Sequence, residues 1–180
     1  MDYLFKNTYA ENIKAAEHFV KMANEHDLGR RWNIVAAAVF CAFSIEAYLN
    51  QVGEAIEGDA WTDWDRDNHP DPRSKLDRVA PEKIYFDSEP FSEFSEIFEL
   101  RDIVAHGRYI LVKKKIRKPQ NNIKGAINNL SSPFEMRTTL KKINRILDNT
   151  KNIILLINGI TMKKTKTELW SIGHGSLRTS

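Results

Sequence analysis

In the stretch ELRDIVAHG, residues 99–107, an arginine and a histidine stand five residues apart at the end of an apolar helical segment. An imidazole exchanges a proton near neutral pH and a guanidinium offers fixed donors to an anion. Arg101 and His106 therefore have the makings of acid–base chemistry beside a developing negative charge. Asp102 lies four residues before His106, on the same helical face, where its carboxylate can orient the imidazole. Spacing alone says little, because 11 arginines and five histidines in 180 residues give roughly 0.3 such pairs by chance. The placement says more. In phase with Phe94, positions 97, 98, 101, 104 and 105 share a face. Arg101 thus interrupts a stripe of Ile97, Phe98, Val104 and Ala105, and Gly107 follows as a C-terminal stop. A cation on a core-facing stripe needs a partner.

The partner that the sequence offers is Glu46. Residues 32–52 are apolar nearly all round between positions 34 and 49, the pattern of a central helix covered on several sides. Glu46 stands in that run between Ile45 and Ala47, and pairing with Arg101 would compensate both charges. The other reading places Glu46 in a solvent groove.

The remaining elements follow from local signals. Thr8 to Glu11 reads as a capping box, after which Tyr9, Ile13, Ala16, Val20 and Ala23 recur at four- and three-residue steps, predicting an amphipathic helix that ends near Gly29. Residues 58–73 form a polar connection in which Trp61 and Trp64 pin the chain to the body. Asp63, Asp65 and Asp67 alternate like a calcium loop, but Asn68 and Ser74 replace the glycine and glutamate such a loop requires. No metal site and no cofactor is expected. A short helix is predicted over 74–80 and the motif helix over 91–106. Tyr109 to Val112 could form a short strand. Ser132-Pro133 starts a long last helix whose stripe runs Met136, Leu140, Ile143, Leu147, Thr150, Ile154 and Ile157.

At 180 residues the chain can bury one sizeable core. The division expected is one domain over residues 1–162 and a basic extension over 163–180. The single Cys41 excludes an internal disulfide and packs as a small hydrophobe. The opening residues lack the apolar block of a secretory signal, and the apolar runs fall short of the ~18 residues of a membrane span. A cytoplasmic protein without membrane contact is the expectation. The net charge of +3 conceals an asymmetry: residues 1–100 carry 10 Lys and Arg against 20 Asp and Glu, and residues 101–180 carry 17 against 4. Either the basic half binds a polyanion, or the two halves neutralise one another on folding or dimerisation.

The order of helices, the run SIEAYLN at 44–50 and the ending RDIVAHG resemble the HEPN superfamily over residues 8–162. The resemblance implies an all-α helical bundle of four to five helices that dimerises, so that two R-x4-H motifs meet in a shared cleft. It also implies a metal-independent endoribonuclease, often a toxin or an antiviral abortive-infection effector, with RNA as substrate and an antitoxin or defence-system protein as partner. Carried over, Arg101, Asp102 and His106 are catalytic, while Glu46, Asn50 and Tyr109 are supporting. The related group that pairs with a nucleotidyltransferase continues H-x-Y, whereas Tyr109 here is one place late, so regulation through that tyrosine is not implied. Arg108, Lys113, Lys114, Lys115, Arg117 and Lys118 form the basic run that would hold RNA.

The chemistry fits these residue types. Metal-free RNA cleavage needs a base for the ribose 2′-OH, a role open to His106, and a cation for the phosphorane-like transition state, a role open to Arg101. The helix C-terminus also suits a charged His106 that protonates the leaving oxygen. A five-residue helical step leaves the two side chains about 140° apart, which argues for convergence across a dimer. The alternative is a non-catalytic HEPN module that binds a partner protein, nucleotide or RNA, and a third is a purely structural helical adaptor.

Overall fold

The computed structural model describes residues 8–80, 84, 86–106 and 139–165, with side chains to residue 161. Among these residues the chain is all-helical. Its six helices are α1 (Thr8–Glu25), α2 (Arg30–Glu57), α3 (Asp59–Asn68), α4 (Pro72–Val79), α5 (Phe94–His106) and α6 (Leu140–Thr165), with a 3-10 turn at Phe91–Glu93 before α5.

Helix α2 is central because its apolar side chains point in several directions, and it packs against all five other helices. Its length and composition also make it, among the described residues, the one helix apolar enough to cross a membrane, with mean hydropathy 1.6 over an 18-residue window. The expectation that no segment reaches this length is corrected. In this fold Ile34, Ile45, Tyr48, Leu49 and Val52 are buried in the core.

The predicted stripe of α1 is the buried one: Tyr9, Ile13, Ala16, Val20 and Ala23 all face inward. Tyr9 meets Tyr48 edge-on at 4.8 Å and Phe19 stacks on Phe40 at 5.7 Å, seating α1 along α2. The turn between them needs a left-handed residue, and Gly29 supplies it at φ 77°.

Residues 58–73, expected as a polar connection, contain helix α3 and the start of α4. Most of α3 is polar, so its period was hidden; Trp61 alone is fully buried and holds the helix down. Its ring lies over Gly53, where an added Cβ would come within 2.1 Å of it. The two tryptophans pack together at 5.1 Å, and Arg78 of α4 lies over Trp64 at 4.2 Å. Helix α4 begins two residues earlier than predicted. Asp71 accepts from the Ser74 N–H at 2.8 Å, and Pro72 occupies the first helical turn, where its missing donor costs nothing.

One face of α2 receives α3 and α4. Glu46, Asn50, Gly53 and Glu57 recur at steps of four, three and four residues, which keeps them on one side. Glu46 and Asn50 meet Lys75, Gly53 meets Trp61, and Glu57 takes a forked hydrogen bond from Arg78 Nε at 3.0 and 2.9 Å. That bond stabilises the charged form of Arg78 and raises its pKa.

Helix α6 closes the opposite side. Ile143, Leu147, Thr150, Ile154 and Ile157 are buried as the stripe predicted. Lys142 reaches Glu96 at 2.6 Å, Arg145 Nε donates to Glu93 at 2.9 Å, and Lys151 reaches Glu17 at 2.6 Å. The helix continues to Thr165, past the boundary expected at 162. The helix start at 132–133, Met136, the strand at 109–112 and residues 166–180 lie outside the described residues.

Candidate active site

The last turns of α5 emerge from the core. Phe94, Ile97, Phe98 and Leu100 are buried, whereas Val104 and Ala105 are exposed, so the predicted stripe ends at Arg101. The reason is positional. Arg101 remains at the centre of the buried arc, but it stands where the packing of α5 on α2 opens into a cleft of about 420 Å³. Its side chain keeps 20% exposure, enough to reach both the counterions behind it and the cleft in front.

Two walls form this cleft. Helix α5 contributes Arg101, Asp102 and His106, and Glu46 of α2 lies at its floor. The facing wall is Asp65 of α3, the turn His69-Pro70-Asp71-Pro72, and Lys75 of α4. Arg101 Nη2 donates to Glu46 Oε2 at 3.4 Å, and Nη1 lies 3.3 Å from Asp102 Oδ1. The structure thus brings Glu46 and Arg101 together, although Glu46 also borders open space with 30% of its side chain exposed. Both contacts are long for charge-assisted bonds, and Arg101 Nε is buried without a hydrogen-bond partner among the described residues. Nη1 and Nη2 each make one long contact and so retain a further N–H for an incoming anion, whereas Nε is sealed from the cleft.

Lys75 is the cation that the sequence reading missed. Only 5% of its side chain is exposed, and its ammonium lies 2.7 Å from Asp65 Oδ1, donates to Asn50 Oδ1 at 2.8 Å and lies 3.9 Å from Glu46 Oε1. Asn50 therefore acts on the facing wall, where it holds the lysine that shares Glu46 with Arg101. The available signal was Asp71-Pro72, which marks the helix start; the burial of Lys75 depends on α3 folding beside it and had no local signal. His69 and Asp65 were missed for the same reason.

Arg101 and His106 of one chain line the same cleft. Among the described residues the cleft holds four carboxylates, Glu46, Asp65, Asp71 and Asp102, against the two permanent cations Lys75 and Arg101. Such a balance favours a cationic or hydrogen-bonding ligand group as well as a phosphate drawn by Arg101. Tyr109, Arg108, Lys113, Lys114, Lys115, Arg117 and Lys118 lie outside the described residues.

Other polar chemistry in the core is structural. Cys41 is fully buried, and loss of hydration pushes its thiol up to about 12, against a smaller opposing effect from its hydrogen bond with Thr150. Burial likewise raises Tyr48, with Tyr9 adding to the effect. Asp63 and Asp67 pair with Arg66 on the surface of α3. Among the described residues no group of three or more His, Cys, Asp or Glu side chains is arranged to hold a metal ion. No family model, no curated protein and no solved structure matches this chain.

Proposed function

We propose that this chain is a metal-independent endoribonuclease of the HEPN type, acting as a homodimeric toxin or antiviral effector in the cytoplasm, with RNA as substrate and an antitoxin or defence-system protein as partner. The observation that carries the reading is the meeting of Arg101, Asp102 and His106 on one cleft, with Glu46 behind the guanidinium. Arg101 would place its free donor capacity on a non-bridging phosphate oxygen and stabilise charge that grows in the transition state. His106 would take the 2′-OH proton. Asp102 has the spacing to accept from a neutral imidazole one turn later on α5, which suits His106 to the base role.

The excess of carboxylates in the cleft disfavours a polyanion and favours a second reading, a HEPN module that binds a partner protein without cleaving RNA. Purified wild-type protein assayed on RNA in the presence of chelator separates the two. The expected result is cleavage that falls by at least about 100-fold in Arg101→Ala and in His106→Ala. Cleavage undiminished in both variants would remove the active-site assignment, and no cleavage by the wild type would favour the binding module.

A further inference from the structure

We propose that His69 is the general acid of this cleft, protonating the leaving 5′-oxygen while His106 acts as base; the inference rests on the ribonuclease reading above. Among the described residues His69 and His106 are the two imidazoles that line the cleft, one on each wall, with Arg101 in the same cavity. An acid and a base that act on opposite sides of one phosphate have to approach it from different directions.

His69 is held where it is by its neighbours. It ends α3 with φ 44° and ψ 52°, and its N–H donates to the Asp65 carbonyl at 3.0 Å. This is the left-handed conformation that commonly ends a helix and that histidine adopts more readily than most residues with a Cβ. Pro70 and Pro72 fix φ on either side of Asp71, and Asp71 caps α4. Lys75 then ties α4 to Asp65 of α3 and to Asn50 of α2. The facing wall is therefore braced at both ends of its turn, and His69, exposed at the rim, is delivered by a rigid segment.

The step balances within the chain and its substrate. The 2′-oxygen loses its proton to His106 and forms a bond to phosphorus; the phosphorus–O5′ bond breaks; and O5′ takes a proton from His69. The products are a 2′,3′-cyclic phosphate and a free 5′-hydroxyl, and water returns the two histidines to their starting protonation.

The test uses His69→Asn, because asparagine tolerates the left-handed backbone and preserves the turn while removing the titrating ring. Two substrates are compared: an oligoribonucleotide, whose alkoxide leaving group needs a proton, and uridine 3′-(4-nitrophenyl phosphate), whose nitrophenolate does not. The expected result is loss of about 100- to 10,000-fold on the oligonucleotide with near wild-type turnover of the aryl ester. Wild-type oligonucleotide cleavage by H69N would overturn the proposal, as would an equal loss on both substrates. If Arg101→Ala is inactive in the same series, the ribonuclease reading survives that failure. A wild-type protein that cleaves neither substrate overturns both.

Discussion

A lysine ammonium leaves water only where fixed acceptors replace its hydration shell. At Lys75 those acceptors are Asp65, Asn50 and, more distantly, Glu46, so the residue joins three helices and braces the facing wall of the cleft. Lys75→Met keeps the aliphatic stem but strands the acceptors. It is expected to cost about 1–3 kcal/mol in urea unfolding, and less than that when Asp65→Asn is already present. A cost below about 0.5 kcal/mol would show that the tie is dispensable. Cys41 makes a separate prediction from its raised pKa. Between its ordinary 9.0 and about 12 the native state keeps a proton that the unfolded chain has lost. The stability associated with this group is whole below pH 9 and falls as pH rises toward 12. Cys41→Ala should therefore show a shallower loss of stability than wild type over about pH 9 to 11, and parallel curves would refute the assignment.

At the scale of elements, the face Glu46, Asn50, Gly53 and Glu57 of α2 decides where α3 and α4 dock. Gly53 is the least replaceable of these. In an open helix a Gly→Ala change stabilises by about 1 kcal/mol, but here the new methyl would run into the Trp61 ring. Gly53→Ala is expected to destabilise by about 1–3 kcal/mol and to alter tryptophan emission. Unchanged or increased stability would mean that Trp61 is not seated on that position. This docking was not legible in the sequence. The polar period of residues 58–73 reads as a loop, and α3 is held where Trp61 fits against Gly53 on the preceding helix. Helices α1, α2 and α5 were legible because each carries a stripe of core residues or is apolar throughout, and their burial follows from that pattern alone.

At the scale of the molecule, the acidic first half and basic second half meet. Arg101 with Glu46, Lys142 with Glu96, Arg145 with Glu93 and Lys151 with Glu17 each join a cation after residue 100 to a carboxylate before it. Part of the charge asymmetry is thus internal neutralisation, the second of the two readings open from composition. The proposed dimer makes its own prediction. If Arg101 of one copy works with His106 of the other, mixing inactive Arg101→Ala and His106→Ala chains should restore about one quarter of wild-type activity, since half the dimers would hold one intact site. No recovery on mixing, with exchange of subunits verified, would show that each chain's cleft acts alone. Val104 and Ala105 are exposed beside His106.

By itself the sequence determined the helical class, the buried stripe of α1, the central place of α2, the end of the motif helix and the candidacy of Arg101, Asp102, His106 and Glu46. These follow from periods of a few residues and from charges placed among apolar neighbours, both of which are local. Only the tertiary structure decided that Arg101 opens onto a cleft, that Asn50 serves Lys75 and that His69 stands opposite His106. Those relations join residues 25 or more positions apart, through a polar helix whose place depends on the contact between Trp61 and Gly53.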